Sequence, residues 1–239
     1  MKFTYTLRKI LINITGYWVY KKKHLPIGID LKEDLTNKFQ IKPKLIFDVG
    51  ANYGQTALYY REAFKDATIF SFEPIKQSFD KLVKNTKHYK NIFCYNIALG
   101  DEKKEVEIFL HEERFSACNS LKFDNRDGNG AASKEVVKVT TLNDFVMENK
   151  IEHIDLLKID TEGYELEVLR GGENILTKGL VNAIIGEVAL STKNNRNTQL
   201  HALISYLDNF NYFFVGLYDT DARTYKQGIA FSNALFIKK

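Results

Sequence analysis

The chain has 239 residues, a length that suits one generous domain or one domain with a small appendage. With 44% hydrophobic and 27% charged residues, 17 Phe and 13 Tyr, it reads as a folded globular protein that needs neither disulfides nor metal for its core. The 34 basic against 30 acidic side chains leave only +4, and no long basic block appears, so a nucleic-acid partner is not expected.

Leu7, Ile10, Leu11 and Ile14 recur at helical spacing, with Arg8 and Lys9 on another face, and a second short helix is expected over residues 30–39. Residues 1–40 are therefore expected to form a helical extension, packed on the main domain or on a second copy of the chain, and residues 41–239 the main domain. Lys21, Lys22 and Lys23 beside the first helix leave a peripheral membrane contact open. A membrane span is not expected. The uncharged stretch 10–20 has 11 residues, where a spanning helix needs ~20, and lysines stand where a signal peptide would be cleaved. Cys94 and Cys118, with 23 residues between them, match no zinc-ligand spacing, and a reducing cytoplasm is the simplest setting.

From Pro43 onward strand and helix signals alternate. Strands are expected over 45–50, 68–73 (stopped by Pro74) and 92–99, with helices over 55–64 and around Phe79, Leu82 and Val83. The rhythm returns with strands over 154–160 and 181–190 and helices over 165–176 and 199–210. Strands over 212–218 and 234–238 close the chain as a hairpin that leaves one strand antiparallel. Such alternation predicts a mostly parallel sheet with helices on both faces. Two further strands, 105–110 and 135–142, bracket a polar loop over 111–134 whose length suits a lid over an acceptor.

In open α/β sheets, ligands bind beyond the carboxyl ends of the strands. The first strand presents Asp48-Val49-Gly50-Ala51-Asn52-Tyr53-Gly54 there, and the second presents Glu73, 23 residues after Gly50. The glycines permit a sharp turn and close approach of a ligand, and an acid ending the next strand can accept both ribose hydroxyls. A dinucleotide fingerprint would need glycine where Asn52 stands. Asp48 would repel a pyrophosphate but attract an ammonium. S-adenosylmethionine (SAM) is favoured over NAD on these grounds.

The segments FDVGANYGQT (47–56), FEP (72–74), NIALGD (96–101), VTTLNDF (139–145), LLKIDTEGYELEVLRGG (156–172) and the acid in IIGEVAL occur in an order that resembles the FkbM-type family of SAM-dependent methyltransferases. The resemblance implies a class I, Rossmann-like fold with a seven-stranded sheet, and methyl transfer to a hydroxyl, commonly on a sugar or small natural product. It implies that Asp48, Gly50, Asn52 and Gly54 hold the methionine part of SAM and that Glu73 holds the ribose. Ala98 would lie by the adenine, with Asp160 and Glu162 beside the transferring methyl. Tyr53 would cover the cofactor or pack.

Other side chains are weighed on their own chemistry. Asp160 ends a central strand on the ligand side, the setting for a base or a cofactor contact. Lys158 shares its strand face, is costly to bury unless paired, and is expected to pair with Glu187 on the next strand. Glu187 is otherwise a third catalytic candidate beside Asp160 and Glu162. These three acids could offer oxygen ligands to a metal, but nothing in the motifs demands one, and the five histidines show no metal spacing. His111 is a lesser candidate for a base. A non-catalytic SAM-binding scaffold would be expected to lose the acids near the methyl, and a nucleotide-dependent oxidoreductase is disfavoured by Asn52.

Overall fold

The computed structural model describes residues 2–17, 20–21, 24–110, 133–194, 196–220 and 229–239. Two helices precede the first strand: α1 (Lys2–Thr15), and α2 (Leu31–Glu33), which runs on into a π-helical turn over Asp34–Lys38. Strand and helix then alternate as β1 (Leu45–Val49), α3 (Gln55–Ala63), β2 (Thr68–Phe72), α4 (Lys76–Thr86) and β3 (Ile92–Tyr95). Short strands β4 (Ala98–Gly100), β5 (Lys104–Leu110) and β6 (Ser133–Thr141) follow, then α5 (Leu142–Glu148) and β7 (Ile154–Ile159). The chain ends with α6 (Glu165–Arg170), α7 (Glu173–Thr177), β8 (Val181–Ala189), α8 (Leu200–Asp208), β9 (Tyr212–Tyr218) and β10 (Phe231–Lys238).

Among the described residues, the main sheet has seven strands in the order β3-β2-β1-β7-β8-β10-β9. β10 is antiparallel to both its neighbours, while the other adjacent pairs are parallel. This is the mostly parallel, Rossmann-like α/β sheet that the sequence implies. Side chains alternate along each strand, and both faces are covered. Phe47 and Val49 of β1 enter a core built with Phe145 of α5, Leu169 of α6, Leu176 of α7 and Leu203 of α8. Ile46 points the other way, into a core with Ala57 and Tyr60 of α3 and with Leu31 and Leu35.

The segment before β1 is not uniform. Leu31 and Leu35 are buried in the sheet's second core. Asp34, fully buried, accepts from the Gly28 amide at 3.0 Å and the Tyr218 hydroxyl at 2.6 Å, and pairs with Lys38 at 2.5 Å. By contrast Leu7, Ile10, Leu11 and Ile14 of α1 are all exposed.

Three local expectations change. The strand expected over 92–99 breaks at Asn96, whose side-chain amide donates to the carbonyls of Glu73 (2.9 Å) and Pro74 (2.8 Å). That turn sends β4 out of the main sheet to join a second one, β4-β6-β5. The helix expected over 165–176 is two helices, because Gly171 lies against the Gly100 carbonyl oxygen, 1.9 Å from where a Cβ would sit. Finally α5 was not expected; it starts at a Thr141 cap whose hydroxyl accepts from the Asp144 amide at 3.0 Å. Of the expected lid, residues 111–132 lie outside the described residues, and His111 and Cys118 with them.

Candidate active site

Strand order reverses between β1 and β7, since the chain builds outward from β1 to β3 before returning to β7 and β8. A crevice opens beyond the carboxyl ends at such a switch point. Here it is a cavity of about 340 Å³, walled on one side by Ala98 and Leu99 of β4 and Ile108 of β5. Of the residues singled out in the sequence, Gly50, Asn52, Glu73, Ala98, Asp160, Glu162 and Glu187 line it. Asp48, Tyr53 and Gly54 stand behind that lining.

The first wall is a turn. The amides of Gly50 and Ala51 both donate to the Phe72 carbonyl at 3.0 Å, drawing β1 and β2 together at their ends. Gly50 has φ +83°, and a Cβ there would sit 1.9 Å from the Asp160 carbonyl oxygen. Only glycine fits this place. Glu73 closes the turn: its two carboxylate oxygens accept from the amides of Asn52 (2.8 Å) and Ile75 (3.0 Å). Burial pushes its carboxyl up to about 7, against those two stabilising amides. Tyr53 is not among the lining residues and has Lys81 over its ring, 4.5 Å from the centroid.

The second wall is acidic. One carboxylate oxygen from each of Asp160, Glu162 and Glu187 lies within 4.8 Å of the others. Burial raises Glu162 to about 7, opposed by Arg196, whose Nη2 lies 2.9 Å from its Oε1. Burial, and then repulsion from Asp160 and Glu162, pushes Glu187 up as well. The Asn197 side-chain amide donates to Glu187 and, at 3.4 Å, to Glu162. With both raised, Glu162 and Glu187 carry less than their full two charges near neutral pH.

Lys158 pairs with Asp160, Nζ to Oδ2 2.9 Å, and not with Glu187 as expected. Register explains the correction. Lys158 faces Ile185 across β7 and β8, so Glu187, two residues further on, stands beside Asp160 instead. Burial alone would lower the Lys158 ammonium, but Asp160 more than offsets this and holds it above its ordinary value. Asp48, beside Lys158 in the sheet, is pushed up to about 7 by burial, against the pull of Lys158.

Two features of this wall escaped the sequence reading. Arg196 and Asn197 belong to the polar run after β8, whose only signal was its density of Asn. Glu165, fully buried, holds the turn that carries Glu162 at φ +54°. It accepts from the amides of Thr161 (3.1 Å) and Gly163 (3.0 Å) and from the Thr198 hydroxyl (2.5 Å).

The sequence profile of the methyltransferase FkbM domain matches residues 48–214, most of the chain and all of the crevice just described. The chain belongs to the FkbM methyltransferase family. Methyltransferase sdnD of Sordaria araneosa is 27% identical over 191 residues, 66% of this chain and 69% of that protein. Hexuronic acid methyltransferase AglP of Haloferax volcanii is 26% identical over 144 residues, 60% and 55% of the two chains. The 2-O-methyltransferase NoeI of Sinorhizobium fredii is 24% identical over 152 residues, 56% and 59%. The chain thus aligns with little more than half the length of the last two. Among solved structures, SMU.1697c of Streptococcus mutans, in complex with SAH, is 11% identical with a TM-score of 0.48, covering 88% of this chain and 99% of that one. That likeness concerns chain path only.

This FkbM methyltransferase uses SAM as its cofactor, and the crevice has the chemistry to take it. Among the described residues, Asn52 Oδ1, part of the cavity lining, is buried without a hydrogen-bond partner, an arrangement that asks for a donor from a ligand. Glu73 keeps lone pairs beyond those its two amides use. The cavity falls within the usual range for such ligands, about 300–1,000 Å³.

Proposed function

We propose that this methyltransferase acts on a hydroxyl of a saccharide or another small hydroxylated molecule, with Asp160 receiving the proton. The carrying observation is that one crevice brings the Gly50–Asn52 turn and Glu73 opposite the Asp160, Glu162 and Glu187 carboxylates. Gly50 and Asn52 would hold the methionine part of SAM, with Asp48 supporting from behind. Glu73 would take the ribose hydroxyls and Ala98 would face the adenine; Tyr53 and Gly54 contribute through the shape of the turn. Bound there, SAM supplies a methyl on a sulfonium with a neutral leaving group.

Alignment then does most of what the enzyme must do. Lys158 fixes one oxygen of Asp160, leaving the other for an acceptor hydroxyl. Glu162 and Glu187, raised by burial, pass or hold a proton near neutral pH. Arg196 and Asn197 position those two acids. An acid-lined crevice repels phosphates, which supports a small acceptor over a nucleic acid. Of two relatives' names, a hexuronic acid methyltransferase supports a saccharide acceptor and a 2-O-methyltransferase supports transfer to oxygen. The cytoplasmic setting read from the cysteines is part of the same proposal.

Labelled SAM incubated with hexuronic acids, neutral sugars and hydroxylated small molecules tests this reading. The expected product carries the label as a methyl ether. Label recovered only on nitrogen or carbon, or only on a carboxyl group as a methyl ester, would overturn it.

A further inference from the structure

The net positive charge of this chain is concentrated at one end. Six of its 34 Lys and Arg lie in the first 29 positions (Lys2, Arg8, Lys9, Lys21, Lys22 and Lys23), and none of its 30 Asp and Glu does. The remaining 210 residues hold 28 basic against 30 acidic side chains, a net −2. The same end carries α1, whose Leu7, Ile10, Leu11 and Ile14 the domain leaves exposed. Leu7, Ile10, Leu11 and Ile14 fall within about 100° of arc at helical spacing. Ile14 is 77% exposed, and Tyr17 just past the helix is 76% exposed. Arg8 and Lys9 stand off the stripe and lie over the rings of Tyr20 and Tyr5, at 4.5 and 5.3 Å.

We propose that α1 lies in the headgroup region of a bilayer rich in anionic lipid, its apolar stripe inward and its basic residues against the phosphates. The inference is independent of the reaction and its acceptor. A helix with an apolar stripe and Lys or Arg on its other side settles in the interface. The field of an anionic leaflet draws basic side chains within about 8–10 Å of its surface. The helix lies on the membrane and does not cross it: 14 residues reach ~21 Å, against a hydrocarbon core of ~30 Å. Among the described residues no helix is long and apolar enough to span. A second copy fits this face poorly, because it would set one net-positive segment against another.

Cosedimentation of the full chain with vesicles decides the matter. The vesicles are phosphatidylcholine alone, or phosphatidylcholine with about a third phosphatidylglycerol, at about 0.1 and 0.5 M salt. The expected result is binding to the anionic vesicles, at least about tenfold weaker on neutral vesicles and at high salt. Ile10→Glu with Ile14→Glu should weaken it at least about tenfold, while calorimetry shows unchanged SAM affinity and hence an intact domain. Lys21, Lys22 and Lys23→Gln, which keeps the stripe, should also weaken it. Failure to bind anionic vesicles, or equal binding by the Glu variant, would overturn the proposal. So would a lipid-free dimer in sedimentation that the Glu variant dissolves, since a second copy would then be the occupant.

Discussion

One wall of the crevice is made of backbone and the other of side chains. On the first, the amides of Gly50, Ala51, Asn52 and Ile75 set the shape and hold Glu73. On the second, Asp160, Glu162 and Glu187 are held by Lys158, Arg196 and Asn197. A backbone-built wall has one allowed form and presents it to a ligand of fixed shape. A wall of acids on flexible side chains can be retuned by its partners without changing the fold. Under the proposed function, the cofactor falls to the first wall and the proton chemistry to the second.

The largest expected effect breaks the first wall. Gly50→Ala places a Cβ against the Asp160 carbonyl at a φ that alanine resists. SAM affinity should fall by about 100-fold or more, with a lowered melting temperature; calorimetry and thermal unfolding read both. Asp160→Asn breaks the second wall alone. It keeps size and hydrogen-bonding atoms, and kcat/KM should fall by ~10²-fold if the carboxylate is the base.

Glu73→Ala removes charge-assisted hydrogen bonds worth about 1.5–3 kcal/mol each, so SAM affinity should fall about tenfold or more. Unchanged affinity would remove Glu73 from the ribose. Asn197→Ala should cost turnover several-fold and move the pH profile, since its amide faces both Glu187 and Glu162. In the wild type, kcat/KM should rise with pH through about 7, where Glu162 releases its proton; a flat profile from pH 6 to 8 would remove the buried acids from the chemistry.

The smallest effect is on stability. Asp48 and Glu73 have folded values near 7, raised from ordinary values of 3.8 and 4.5. The folded state therefore holds protons that the unfolded chain has released. Their stabilising contribution is present below about pH 4 and is lost as pH rises through about 7. The melting temperature of the cofactor-free protein should fall over that range, and Asp48→Asn or Glu73→Gln should flatten the slope.

The backbone wall was readable in the sequence because its signals are local. Gly50 and the acid of FEP stand at fixed distances along one β-α-β unit, and strand ends follow from where apolar runs stop. The side-chain wall was readable only in part. Asp160 and Glu162 sit in one motif, but the partner of Lys158 depends on the register between β7 and β8. That register is set by packing far from either residue, and it turned the expected Lys158–Glu187 pair into Lys158–Asp160. Arg196 and Asn197 reach the site from a loop whose path periodicity cannot give. The breaks at Asn96 and Gly171 have the same origin, since both answer to β4 leaving the sheet.

The central claim is that the two walls do separable work, and it is tested most directly by measuring Asp160→Asn and Glu73→Ala side by side. The readouts are SAM affinity by calorimetry and methyl transfer at saturating SAM. The account predicts a crossed result. Asp160→Asn should keep SAM affinity within about threefold while turnover falls ~10²-fold. Glu73→Ala should lose about tenfold or more in affinity while turnover at saturation stays within several-fold. Turnover of Asp160→Asn within twofold of wild type, or an affinity loss in Asp160→Asn as large as in Glu73→Ala, would contradict it.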